Sequence, residues 1–210
     1  MAGGERTFPR KRREEMLRVA AELFHERGYA ATSTADLAER MGIQRGSVYY
    51  YFETKEGLLL ELIQDVYGRA RASLARVQAG DGDPVAKLRA LIEDHVISFT
   101  TNLIPGALVI NESGSLAPEH RDRVRADAAA YEAGMRELIE EGRRAGALRA
   151  DVDARLACMV VLGATNWVHR WYREDDERTP EEIARAFSDV LIAGLRPQTG
   201  TSSPPLSSST

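Results

Sequence analysis

The side chains best suited to chemistry stand close together between residues 45 and 55: Arg45, Ser47, Tyr49, Tyr50 and Lys55. A guanidinium can pair bidentately with guanine O6 and N7 or clamp a phosphate. Tyrosine hydroxyls and a lysine ammonium suit phosphate oxygens. Ahead of them, Arg6, Arg10, Lys11, Arg12 and Arg13 fall within residues 6–13 with no acidic residue among them. Phosphate binding needs such a local basic face rather than a basic protein; the alternative is a solvated, disordered start. Catalysis has no comparable candidate. No nucleophile and base converge, no glycine loop cradles a phosphate, and the four histidines lack metal-ligand spacing. The chain is expected to be no enzyme and to need neither cofactor nor metal.

These side chains need elements to carry them. Almost the whole chain reads as helix, with proline and glycine between periodic segments and no alternation long enough for a strand. A first helix spans about Arg10 to Arg27, with Leu17, Ala20, Ala21 and Phe24 on one face. Gly28 ends it, and Tyr29 can pack over the end. Ser33 and Asp36 have capping-box spacing and start a short second helix that ends at Gly42. Ile43 turns inward, and a third helix covers about Arg45 to Phe52.

Two short helices joined at a glycine are the core of a helix-turn-helix, whose second member enters the major groove. Ala38 is small at the crossing, and Ile43 and Val48 anchor the third helix against the first. Tyr49, Tyr50, Tyr51 and Phe52 could instead form a core cluster. At about 100° per residue, however, four in succession cannot all face inward. Phe52 is assigned to the core and at least one tyrosine to the surface.

Downstream, Thr54 caps a fourth helix carrying Leu58, Leu59, Leu62, Ile63 and Val66. Gly80 to Pro84 form a loop, and Pro84 opens a fifth helix striped with Leu88, Leu91, Ile92, Val96 and Phe99. Pro105 and Gly106 are expected to break it before a short helix near Ala107–Ser113. Pro118 opens a long helix to about Ala145. Asp151 or Asp153 caps an eighth reaching about Trp171, and Thr179, Pro180 and Glu182 start a ninth that ends near Leu195. The expected class is all-α, with about nine helices. A flexible basic arm (1–9) precedes a three-helix DNA-binding domain (10–70, motif about 33–52). A helical ligand-binding and dimerisation domain (71–196) and a disordered Ser/Thr/Pro/Gly tail (197–210) complete the chain.

The 210-residue chain carries a net charge of −4, but residues 1–60 hold ten basic and nine acidic side chains, a net of +1. The positive charge is at the front. No apolar run approaches the roughly 18–20 residues of a membrane span, and the basic start lacks the apolar stretch of a secretory signal. The single cysteine, Cys158, cannot form an internal disulfide. The expectation is a cytoplasmic, nucleoid-associated protein without a membrane partner.

From Arg13 to Leu59 the chain closely resembles the DNA-binding domain of TetR-type repressors. The matching residues include Ala20-Ala21-Glu22-Leu23-Phe24, Gly28-Tyr29, Ala31-Thr32-Ser33, Asp36-Leu37-Ala38, Gly42-Ile43, Gly46-Ser47-Val48-Tyr49-Tyr50-Tyr51-Phe52 and Lys55-Glu56. The resemblance implies contacts to double-stranded operator DNA from Ser33, Thr34, Arg45, Gly46, Ser47, Tyr49, Tyr50, Tyr51 and Lys55. Three positions depart from the pattern. Gln44 replaces the usual serine cap, Tyr51 stands where histidine is frequent, and Gly57 weakens the cap of the fourth helix.

A single helix-turn-helix binds a half-site weakly, so the remaining chain is expected to supply a two-fold dimer matched to a palindrome. The eighth helix is apolar on two faces: Leu156, Met159, Val160 and Gly163 against Cys158, Val161, Leu162 and Thr165. One face can pack on its own core and the other, with the ninth helix, on a second copy; the alternative is wholly intramolecular burial. The run from Thr165 to Arg173 resembles the corresponding helix of TetR-type regulators that respond to acyl-CoA thioesters. By that likeness Trp167 and Arg170, with Asn166, approach a small-molecule effector. The alternative makes Trp167 packing and Arg170 a surface ion. His95, Phe99, Asn111 and Glu112 fall on helices that usually wall the family's pocket, although His95 by itself reads as a satisfied structural histidine rather than a ligand contact. The leading expectation is a repressor released by an acyl-CoA thioester of lipid, aromatic or steroid catabolism. A multidrug-sensing repressor of an efflux pump is the alternative, although aromatics are sparse at 7%.

Overall fold

In a computed structural model, residues 7–173 and 175–197 are described, with side chains from residue 10 onward. Arg6 and the expected tail at 198–210 lie outside the described residues. Those described form ten α-helices, one 3₁₀ turn and no strand. The helices are α1 (Thr7–Arg27), α2 (Thr34–Arg40), α3 (Arg45–Tyr51), α4 (Lys55–Ala79) and α5 (Pro84–Thr101). After them come α6 (Leu103–Glu112), α7 (Pro118–Arg144), α8 (Ala154–Asn166), α9 (Val168–Trp171) and α10 (Pro180–Leu195). None is long and apolar enough to cross a membrane.

Local chemistry sets most of the helix ends. Gly28 and Gly42 take φ of +83° and +62°, the left-handed stops that a side chain resists. Tyr29 packs edge-on against Phe24 with ring centroids 5.1 Å apart. The capping boxes Ser33/Asp36 and Thr179/Glu182 are both formed. Asp153, not Asp151, caps α8 by accepting the Leu156 N–H. Gln44 makes no side-chain cap bond to α3, whereas Thr54 still accepts the Gly57 N–H at 2.9 Å.

Two expected boundaries are corrected. The break after α5 is at Asn102, and Pro105 and Gly106 lie inside α6. Proline in a first turn lacks an N–H that would be unpaired anyway. Gly106 is there for contact: a Cβ would stand 2.9 Å from the Phe99 ring. The eighth helix stops at Asn166 rather than near Trp171. The chain turns at Trp167 and resumes as the four-residue α9.

The core is assembled in layers around α4 and α5. Met16, Leu23, Leu37, Val48, Phe52, Leu58, Leu59 and Ile63 pack α1–α4 together, and Leu108, Leu116 and Val124 from the second half join the same cluster. The first 60 residues therefore share a core with α6 and α7. A second cluster holds Leu88, Leu91 and Ile92 of α5 against Met135, Leu138 and Ile139 of α7 and Val161 of α8. Helix α4, 25 residues and roughly 37 Å long, runs through the expected boundary at residue 70 and belongs to both units.

Candidate nucleic-acid interface and effector cavity

The outer face of α3 follows from its core contact. Val48 is the buried residue of this helix, so Arg45, Gly46, Ser47, Tyr49 and Tyr50 are exposed. Tyr50 is 80% exposed, while Phe52 is buried, as the four-aromatic argument requires. Arg12, Ser47, Tyr50 and Tyr51 border one hollow of about 300 Å³. The basic run of α1 thus lies beside the open face of α3. Arg10 and Arg12 make exposed i,i+4 and i,i+3 pairs with Glu14 and Glu15, a kind of pair that exchanges readily for another anion. Lys11 is exposed.

Other expected contact residues are engaged inside the chain. Thr34 is buried, with its hydroxyl 3.1 Å from the Tyr49 hydroxyl. That bond and then the Arg45 guanidinium hold the Tyr49 phenol below its ordinary pKa. Arg13 is bound to Glu61 and stacked 4.7 Å over Phe52, joining α1 to α4. Lys55 departs furthest from expectation. Its ammonium donates to the Tyr29, Thr32 and Ala30 carbonyls at 2.8, 2.9 and 3.4 Å and lies 4.2 Å over the Tyr29 ring. These contacts tie its ammonium to the α1–α2 loop.

Next to Lys55, Glu56 reaches across to the other unit. Its Oε1 accepts the Ala117 N–H at 2.8 Å and lies 2.7 Å from His120 Nδ1, at the start of α7. These bonds, first that to His120, hold the carboxyl below its usual pKa. A carboxylate also suits the positive N-terminal end of a helix. Neither Glu56 nor His120 was found from sequence, because 64 residues separate them.

A cavity of about 470 Å³ opens between α4, α5, α6, α7 and α8, within the usual range for a small-molecule site. Phe99, Val109, Ile110 and Leu162 supply apolar wall, and His95, Tyr131 and Asn166 a polar line. His95 Nε2 lies 2.9 Å from Asn166 Oδ1 and Nδ1 3.2 Å from the Tyr131 hydroxyl. The arrangement has Nε2–H donating to Asn166 and Nδ1 accepting from Tyr131. Burial lowers the His95 pKa, and the Asn166 bond opposes this only in part. Burial likewise raises that of Tyr131. His95 is thus both a satisfied histidine and a cavity wall.

The remaining expected ligand residues are elsewhere. Asn111 and Glu112 lie one and two places past the last cavity residue of α6, Ile110, and Glu112 accepts from Ser115 instead. Trp167 is 60% exposed, with the Arg170 guanidinium 5.7 Å from its ring, and neither lines the cavity. Asn166 points in, and its neighbour, about 100° further round, points out. On α8 the two faces separate as their periodicity requires: Cys158, Val161 and Thr165 are buried, and Leu156, Met159 and Val160 are exposed. Val190 on α10 is exposed as well. Among the described residues no group of histidine, cysteine and carboxylate side chains could hold a metal.

Comparison with known proteins agrees over both units. Residues 16–62 match the model of the bacterial regulatory proteins, tetR family. Residues 81–195 match that of the tetracyclin repressor-like, C-terminal domain. The chain is 31% identical to the HTH-type transcriptional repressor KstR2 of Rhodococcus jostii (strain RHA1), over 88% of this chain and 91% of that one. Among solved structures it resembles the TetR family transcriptional regulator PfmR from Thermus thermophilus. The TM-score is 0.80 at 34% identity, covering 87% of this chain and 99% of that one. It also resembles AibR in complex with isovaleryl coenzyme A and operator DNA. There the TM-score is 0.76 at 25% identity, covering 89% and 98%.

Proposed function

The chain belongs to the tetR family of bacterial regulatory proteins, and from that premise we propose how this ligand-responsive repressor grips DNA and what releases it. The observation that carries the proposal is the open face of α3 beside the basic run of α1. In the proposed complex this face enters the major groove. Arg45 reads a base edge or clamps a phosphate, and Ser47, Tyr49, Tyr50 and Tyr51 contact the backbone nearby. Arg10, Lys11 and Arg12 lie along the adjoining phosphates, and Ser33 approaches from the start of α2. A Cβ at Gly46 would meet nothing within the chain, so packing does not demand the glycine; close approach of a phosphate to its backbone does. Thr34 acts by orienting Tyr49, and Arg13 and Lys55 by holding α1, α3 and α4 in register.

Two copies are proposed to meet through α8 and α10. Leu156, Met159 and Val160 lie at i, i+3 and i+4, and Trp167 with Arg170 continues their stripe. Covering this apolar surface with the same surface of a second copy gives the two-fold symmetry that a palindrome matches. The proposed effector is an acyl-CoA thioester or similar amphipathic anion, its apolar body against Phe99 and Leu162. Isovaleryl coenzyme A in the AibR structure supports that class. A flat cationic drug fits less well, because of the two carboxylates on the cavity wall Asp94 is bound by Arg76 and Glu132 is exposed to water.

Selection from a random duplex pool tests the DNA half of the proposal. An inverted repeat should be enriched, and Arg45→Ala should lower affinity for it by about 1–3 kcal/mol while affecting random duplex less. Equal loss on both would reduce Arg45 to a phosphate contact. Enrichment of no sequence at all would end the proposal.

A further inference from the structure

Arg69, on the cavity face of α4, has donors that nothing in the chain uses. Its Nη1 pairs with Asp65 one turn earlier, whereas Nε and Nη2 are buried without a hydrogen-bond partner. Burying such groups unpaired is costly, and a native protein that does so usually has a partner for them that is not part of the chain. Of the other charged side chains on the wall, Glu132 is exposed to water without an ion pair, and the rest are engaged. Arg76 is bound to Asp94, and both nitrogens of His95 are engaged. Among the described residues lining the cavity, Arg69 is the cation whose spare donors are buried.

Its position adds an independent reason. Arg69 and Asn102 line the 470 Å³ cavity, and the same two residues line a groove of about 570 Å³ between α1, α4 and α6. The carboxylates of that groove are each held by an arginine: Glu14 by Arg10, Glu61 by Arg13, Glu22 by Arg18 and Asp65 by Arg69. Three of these pairs do not involve Arg69, and Asp65 takes only its Nη1, which leaves the Nε–Nη2 edge open to an anion. We infer that Arg69 seats an oxyanion of the effector, a carboxylate or a phosphate, where the cavity opens into the interdomain groove. A planar guanidinium with two adjacent free N–H groups suits either. The apolar body lies in the cavity, and the anionic end passes Asn102 toward Leu17 and Ala21 of α1. Effector binding then touches the DNA-binding unit directly. The inference rests on the amphipathic anion proposed above but not on its being a CoA thioester.

Titration calorimetry and thermal melting of full-length wild type, Arg69→Met, Arg69→Lys and Arg170→Ala test it. The probes are acyl-CoA thioesters from C4 to C16, the matching free fatty acids and their methyl esters. The inference expects at least tenfold weaker binding of the anionic probes by Arg69→Met and partial rescue by Arg69→Lys. Without ligand, Arg69→Met should melt no lower than wild type, because it removes unpaired buried donors; a structural arginine would do the opposite. Thioesters bound equally by wild type and Arg69→Met would overturn the inference and leave the effector class standing, as would loss in Arg170→Ala alone. Free acids bound in an Arg69-dependent way without any thioester would uphold the inference and remove the CoA class. No binding of any anionic probe by wild type would overturn both.

Discussion

Lys55→Met separates a positioning lysine from a phosphate-binding one. The native ammonium makes two good charge-assisted bonds, to the Tyr29 and Thr32 carbonyls, and one ring contact. At about 1.5 kcal/mol for each bond and about 0.5–1 kcal/mol for the ring, the substitution removes up to about 4 kcal/mol. Lys55 is half-exposed, and water that returns to the freed carbonyls brings the net loss to about 2 kcal/mol. For a chain of this size that is a fall in melting temperature of about 4–8 °C, read by calorimetry at one protein concentration because a dimer's melting depends on it. The loosened α1–α2 loop should weaken binding to every duplex, with the dependence of log affinity on log salt unchanged. Lys55→Arg keeps the charge and should recover part of the stability. An unchanged melting temperature together with a salt slope smaller by about one would refute the argument and return Lys55 to the phosphate backbone.

Two glycines in helices should respond oppositely to alanine. Gly46→Ala gains about 0.5–1 kcal/mol of helix stability in open space and should melt higher yet bind operator more weakly, which melting and fluorescence anisotropy read separately. At Gly134 a Cβ would overlap buried Leu74 of α4; an overpacking cost of about 1–3 kcal/mol exceeds the gain of about 1, and chemical denaturation should show net loss. For His95, burial depresses the folded pKa below the 6.5 at which the unfolded chain takes up its proton. This contribution to stability is full above that value and is lost as pH falls below it. Glu56, whose folded pKa is also depressed, adds its own loss only below 4.5. The fall in melting temperature between pH 7.5 and 5.5 should therefore be smaller in His95→Gln than in wild type; an equal fall would assign it to other groups. Val160→Glu places a charge at the centre of the α8 stripe and should give a folded monomer on light scattering that no longer retains an inverted repeat.

What the sequence determined by itself is what one or two helical turns can enforce. A serine three residues before an aspartate, a glycine at the end of a periodic run and a proline at a first turn each act on backbone groups within reach of their own side chains. Ser33, Gly28, Gly42 and Pro180 accordingly appear where they were expected. The two faces of α8 were legible for the same reason, since a period of 3.6 residues sorts a helix without reference to its neighbours. Pro105-Gly106 misled because one dipeptide serves either to end a helix or to start one against an aromatic ring, and the ring that decides, Phe99, lies on the preceding helix. Tertiary structure alone decided the rest. It sent Lys55 to carbonyls 23–26 residues away, Glu56 to the start of α7, and His95 between Tyr131 and Asn166, 36 and 71 residues on. It also left two nitrogens of Arg69 unpaired between two cavities. Such partners carry no periodic signal, because a hydrogen bond between distant segments depends on how whole helices pack rather than on any spacing along the chain.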